Sequence, residues 1–145
     1  MYDRILLPTD GSESMTTVYE HAADIAARRD ATVHALYVVD DRAFLTLDDE
    51  MRADVAAQLR ATGEEAVAAA ADRLARAGVE TTTEIREGNP ADVILAVAAE
   101  ADVDLVTMGT HGDEYRSNII GSVSRQVVLE SAVPVLTVNV AVGEE

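Results

Sequence analysis

Apolar and polar positions alternate with two different periods along the chain, and each change of period marks a strand giving way to a helix or the reverse. The run Asp3–Pro8 (DRILLP) reads as a short buried strand. It leads into the turn Thr9-Asp10-Gly11-Ser12, after which Met15, Val18, Tyr19, Ala22, Ile25 and Ala26 recur at helical spacing. Ser12 is placed to cap that helix alone, since Met15 three residues on makes no capping box. Thr32–Val39 (TVHALYVV) predicts the second strand, and Asp40–Asp49 a polar loop carrying Phe44 and Leu45. From Glu50 to Ala77 the spacing predicts a long helix with Met51, Val55, Leu59, Thr62, Ala66, Ala69, Ala70 and Leu74 along one stripe. Gly63 is expected to weaken it midway, and Gly78 stands where a C′ glycine belongs.

The second half repeats the alternation. Val79–Glu87 (VETTTEIRE) is half polar and reads as an edge strand. Asn89-Pro90 starts a helix, Asn as N-cap and Pro at N1, that runs to Ala101 and buries Ile94, Val97 and Ala98. Val103–Met108 and Val133–Val140 are the fourth and fifth strands, with a last helix near Gly121–Ser131 between them. Five strands with intervening helices specify an α/β fold: one doubly wound parallel sheet, helices on both faces, over a single domain of residues 1–145. Strands 1 and 4 carry the purest apolar runs and should be central, which selects the order 3-2-1-4-5. Their carboxyl ends then flank the switch point where such sheets bind ligands.

Composition narrows the function. There is no cysteine, so no disulfide framework or thiolate metal site. The apolar runs are strand-sized, too short for a bilayer, and MYDRILLPTDGS does not read as a secretory signal, so a cytoplasmic protein is expected. All 11 basic residues are arginine, against 27 Asp and Glu, for a net charge of −16. Such a surface repels nucleic acid and anionic membranes, so neither is expected as a partner. The missing lysine and the acidic excess point to a salt-adapted source. In molar salt the Debye length shrinks to about 3 Å, and the self-repulsion costs little.

Two segments can carry chemistry. Pro8-Thr9-Asp10-Gly11-Ser12 follows strand 1; it is either a capped turn or a place where Asp10 holds magnesium or hydrogen-bonds a ribose or base. Met108-Gly109-Thr110-His111-Gly112 follows strand 4, and Gly121-Ser122-Val123-Ser124 opens the last helix. Glycines let backbone N–H groups approach an anion, and a helix start adds free donors with a favourable dipole. The hydroxyls of Ser122 and Ser124 can add donors. His21 and His34 read as structural, while His111 either touches a phosphate or faces solvent. The histidine spacing makes no zinc site, the absence of lysine excludes a Walker loop, and there is no G-x-S-x-G elbow.

PTDGS after strand 1, DLVTMGTHG at strand 4, and GSVSRQVV before VPVLTV closely resemble the universal stress protein family, in the right order along essentially the whole chain. The resemblance implies a Rossmann-like fold related to the adenine nucleotide alpha hydrolases. It also implies binding of ATP with magnesium, little or no hydrolysis, and a homodimer formed through the strand Val133–Val140. By that resemblance Gly109, Gly112, Gly121 and Ser122 surround the phosphates, assisted by Val123 and Ser124. Pro8, Thr9, Asp10, Val38 and Met108 line the adenine, ribose and magnesium side, Val38 through its backbone. Eight residues, Asp113–Ile120, separate Gly112 from Gly121 where the family pattern has nine, and Asp113 and Glu114 make the loop acidic, with Arg116 its single cation. A dimeric interaction module that has lost its nucleotide, or a slow ATPase, are the alternatives.

Overall fold

The computed structural model describes residues 2–110 and 121–139. Its strands are β1 (Arg4–Pro8), β2 (Thr32–Asp40), β3 (Thr81–Gly88), β4 (Leu105–Gly109) and β5 (Val135–Val138). Its helices are α1 (Met15–Arg29), α2 (Asp49–Arg76), α3 (Pro90–Glu100) and α4 (Ser122–Glu130). All strand pairs are parallel and the order is β3-β2-β1-β4-β5, as the apolar content of strands 1 and 4 requires.

β1 supplies both halves of the core. Ile5 and Leu7 join Val33, Ala35 and Leu105 against Val18 and Ala22 of α1 and Ala70 and Leu74 of α2. Leu6 joins Leu36 and Val106 on the other face, against Ile94 and Val97 of α3 and Val127 of α4. Ile5, Leu6 and Leu7 are all fully buried. Each such side chain contributes roughly 1.5–3 kcal/mol, more than an exposed ion pair at about 0–1 kcal/mol. Burial of β1, not the surface charge, therefore anchors the sheet.

Local chemistry sets the helix ends. Asn89 accepts from the Asp92 amide at 3.3 Å with Pro90 at the start of α3, as its sequence predicts. Asp48 does the same for α2, accepting from Met51 at 2.8 Å. Gly78 (φ +78) closes α2: its amide donates to Ala75 O at 2.9 Å, and the Val79 amide to Leu74 O at 3.0 Å. Val79 is thereby part of the cap rather than of the strand, which is why β3 begins at Thr81. β3 lies at the sheet edge, as read.

Several expectations are corrected. Ser12 does not cap α1: Ser14 holds the N-cap position without a side-chain bond to the helix amides, its hydroxyl lying 2.9 Å from that of Ser12, and the Ser12 hydroxyl donates to Asp10 Oδ1 at 2.7 Å. The Asp40–Asp49 segment is not all loop. Asp40 ends β2, Asp41–Phe44 forms a 3-10 turn capped by the Asp40 carboxylate, and Phe44 is buried while Leu45 is exposed. Gly63 does not interrupt α2; it is buried inside a continuous helix, where the Tyr37 ring occupies the space of its missing side chain. The buried face of α2 is Gly63, Ala66, Val67, Ala70 and Leu74, while Met51, Thr62 and Ala69 are exposed. At about 1.5 Å per residue α2 reaches about 42 Å, against roughly 30 Å for β2, so its first turns outrun the sheet they would pack on. β5 is shorter than expected, Val135–Val138, and Val140 lies outside the described residues.

Candidate functional site

The strand registers open a crevice at one end of the sheet. β1 stays beside β2 as far as Pro8↔Leu36, but pairs with β4 only at Ile5↔Leu105 and Leu6↔Val106. β4 meanwhile follows β5 to Gly109↔Val138. The carboxyl ends of β1 and β4 therefore part, as a switch point demands. On the β5 side, Val106 donates its amide to Pro134 O, just before that strand, and Thr110 donates to Val138 O. Since backbone groups alternate along a strand, those of Thr107 and Gly109 point back toward β1 and the crevice. The same rule applies to β2: the Thr9 amide donates to Leu36 O at 2.9 Å, so the next residue of that parity, Val38, directs its backbone groups to the side β1 has left.

The loop after β1 is braced from below. Thr9 is buried, its hydroxyl 2.6 Å from the Tyr19 hydroxyl of α1 and accepting from the Gly11 amide at 3.0 Å. Burial, the largest influence, raises the Tyr19 pKa; the Thr9 bond works against it and the Asp10 charge adds to it. Asp10 itself is exposed. Its Oδ1 takes the Ser12 amide at 2.9 Å and the Ser12 hydroxyl, while Oδ2 accepts nothing from the described residues. The turn thus fixes the carboxylate through one oxygen and leaves the other to act outward.

The start of α4 is hooked to the end of β4. The Gly121 amide donates to Thr110 O, and Ser124 Oγ lies 3.0 Å from Thr110 O and 3.1 Å from Gly121 O. Ser124 is buried, and its hydroxyl proton goes to these carbonyls, so it is not the free donor the sequence offered. Ser122 is exposed, and the amides of Ser122 and Val123 belong to the first turn, where a helix has no internal acceptors. Pro8, Val38 and Met108 lie on one face of three adjacent strands, with Met108 buried and Pro8 and Val38 half-buried. Gly112, His111 and the loop Asp113–Ile120 lie outside the described residues.

A nucleotide fits these groups in several respects. Thr110 Oγ1 is buried at the mouth without a hydrogen-bond partner among the described residues, and Gly109 presents backbone to the crevice. Among the described residues no three His, Asp or Glu side chains converge as a metal cage. A divalent ion here would take Asp10 together with phosphate oxygens, the usual habit of magnesium. Sequence reading missed Thr110, whose role as an orphaned hydroxyl depends on its neighbours, and Tyr19 as the brace of Thr9. His34 is structural, its ring nitrogens 2.6 Å from Thr82 Oγ1 and 2.7 Å from Glu84 Oε1, and Arg86 ties Glu84 to Glu100 of α3. Desolvation, the largest influence, pushes the Glu84 carboxyl up; the bonds from His34 and Arg86 outweigh it and leave the group below its usual range.

A doubly wound parallel sheet of this order, with helices packed on both faces, defines a Rossmann-like α/β protein. The universal stress protein family model matches residues 1–139, and the chain belongs to that family. It is 36% identical over 141 residues to universal stress protein MJ0531 of Methanocaldococcus jannaschii, covering 96% of this chain and 83% of that protein. The universal stress protein UspA from Lactobacillus plantarum superposes with a TM-score of 0.85 at 28% identity, over 94% of this chain and 97% of that one. A universal stress protein solved in complex with cAMP shares the fold, with a TM-score of 0.75 at 24% identity over 97% and 99% of the two chains.

Proposed function

We propose that the chain is an ATP-binding universal stress protein, a cytoplasmic dimeric module whose nucleotide occupancy governs partner choice, with little or no intrinsic hydrolysis. The observation that carries this reading is the parting of β1 and β4 beside the start of α4, with Gly109 and Gly121 on its rim. Backbone of Val38 reads the base, Pro8 and Met108 wall it, and Asp10 holds the ribose or a magnesium ion on the phosphates. The amides of Ser122 and Val123 and the Ser122 hydroxyl receive the phosphates, together with Gly109 and Gly112; Ser124 acts by holding the helix in place. A relative that binds cAMP on the same fold supports an adenine nucleotide as the ligand class. When bound, magnesium supplies charge neutralisation of the phosphates.

Calorimetric titration with Mg-ATP in concentrated KCl tests the reading. Binding is expected, and silence up to millimolar ATP would make the chain a nucleotide-free interaction module. ADP accumulating over minutes and abolished by Asp10→Ala would make it a slow ATPase. Dimerisation uses β5, which pairs with β4 on one side only among the described strands and so presents an edge to a second copy. The acidic surface suits a salt-rich cytoplasm: the melting temperature should climb with KCl, and full stability in dilute buffer would contradict salt adaptation.

A further inference from the structure

We propose that the middle of α2 is the positioning element for the Asp10 loop, acting through two contacts that leave no room for a larger side chain. The proposal deepens the nucleotide reading and rests on it for the ligand. Gly63 and Ala66 are three residues apart and share one face of α2. The Tyr37 ring of β2 lies against Gly63 so closely that an added Cβ would stand 2.9 Å from its Cγ and would run into Cδ2. Because the obstruction includes Cγ, the near end of the side chain, the ring cannot swing clear within its rotamer. One turn further on, the Ala66 methyl faces the backbone of Gly11, where an added Cβ would stand 2.9 Å away.

Gly11 is the residue after Asp10 and turns at φ +79, a conformation that itself favours glycine. Its amide and that of Ser12 make the bonds that set the turn, to Thr9 Oγ1 at 3.0 Å and to Asp10 Oδ1 at 2.9 Å. Tyr37 follows Leu36, the register partner of Pro8, and packs on the core face that also holds Val67 and Ala70 of α2; burial first, and then the charges of Asp10 and Asp40, raise its phenol pKa. Gly63 and Ala66 therefore key one helix to both β2 and the turn that carries Asp10. Lifting α2 from the sheet by the thickness of a methyl group releases Tyr37 and Gly11 together. Gly63 and Ala66 are positioning residues that act on the ligand through the turn, and the Tyr37 ring sets how closely α2 can sit.

Gly63→Ala tests this, with Gly63→Ala/Tyr37→Ala as its partner. In open space the first change would raise the melting temperature, because alanine is the better helix former. Here a fall is expected, with faster hydrogen exchange at the Gly11 and Ser12 amides and Mg-ATP binding weakened by about tenfold. The double variant, which has room for the methyl, should recover slow exchange at both amides and most of the affinity. Failure of Gly63→Ala to fold while the double variant folds would also support the seat. Unchanged exchange at Gly11 and Ser12, or a double variant no better than the single one, would overturn it. If the parent chain binds no nucleotide, the functional reading fails alone, and the two amides still decide the seat.

Discussion

β1 and β4 share a seam that is closed at one end and open at the other, and an aspartate stands at each end. At the amino end Asp104 Oδ2 accepts the amides of Asp3 at 2.8 Å and Arg4 at 3.0 Å. Its own amide donates to Arg4 O at 2.8 Å, and the Arg4 guanidinium reaches Ala101 O at 3.0 Å. At the carboxyl end, among the described residues, Asp10 binds only its own turn, through Oδ1, and it follows β1 where that strand has parted from β4. The same side chain staples the sheet where its oxygens meet strand amides, and serves a ligand where the strands have parted. Position along the seam, not residue type, separates the two roles.

The largest expected effect comes from removing the outward-facing carboxylate. Asp10→Ala should weaken Mg-ATP binding by about tenfold, which corresponds to ~1.4 kcal/mol, with little change in melting temperature. Calorimetry and a thermal melt on the same preparation check it. Loss of stability without loss of affinity would merge the two aspartates into one structural class.

Asp104→Asn should do the opposite: lower stability by about 1 kcal/mol after allowance for solvent screening, with nucleotide affinity unchanged. The amides of Asp3 and then Arg4 hold the Asp104 carboxyl below its ordinary value of 3.8. A carboxyl depressed in the folded chain stabilises above its unfolded pKa and ceases to do so as pH falls through its folded pKa. The parent and Asp104→Asn should therefore differ at neutral pH and converge in acid, below about pH 4, in urea melts taken across pH. A constant gap down to pH 2 would refute the staple.

The smallest effects lie at the helix ends on the staple side. Asp30 and Asp102 occupy left-handed conformations, φ 54 and 58, beyond α1 and α3, where Gly78 stands beyond α2. Each puts a Cβ in a crowded conformation and a negative charge at the wrong pole of a helix. Asp30→Gly should raise stability by about 0.5 kcal/mol, and Gly78→Ala should lower it by a similar amount. Both are readable by denaturant titration. Equal signs for the two would show that these aspartates make stabilising contacts of their own.

Much of this was legible in the chain itself. The apolar runs of β1 and β4 implied central strands and hence the strand order, because a strand buried on both faces needs apolar residues at every position. Asn89-Pro90 and Gly78 announced helix ends, since caps depend on the chemistry of one or two residues. Pro8–Ser12, Met108–Gly109 and Gly121–Ser124 marked the candidate site because glycines and helix starts at the carboxyl ends of strands leave backbone amides free where such sheets bind ligands. The boundaries of β3 and β5 and the buried face of α2 could not be read so well: they depend on where neighbouring elements stop.

Sequence alone thus determined the order of elements, the topology and the address of the crevice, all consequences of local periodicity and of the handedness of strand connections. Only the tertiary structure decided which polar groups are committed. Ser124 looks like a free donor in the sequence and Ser12 like a helix cap, yet one is bound to Thr110 and Gly121 and the other to Asp10. Gly63 looks like a flaw in a helix, and is the place a tyrosine from another element fills. A hydrogen-bonding capacity or an empty volume belongs to the residue; its use is settled by whichever group the fold brings against it.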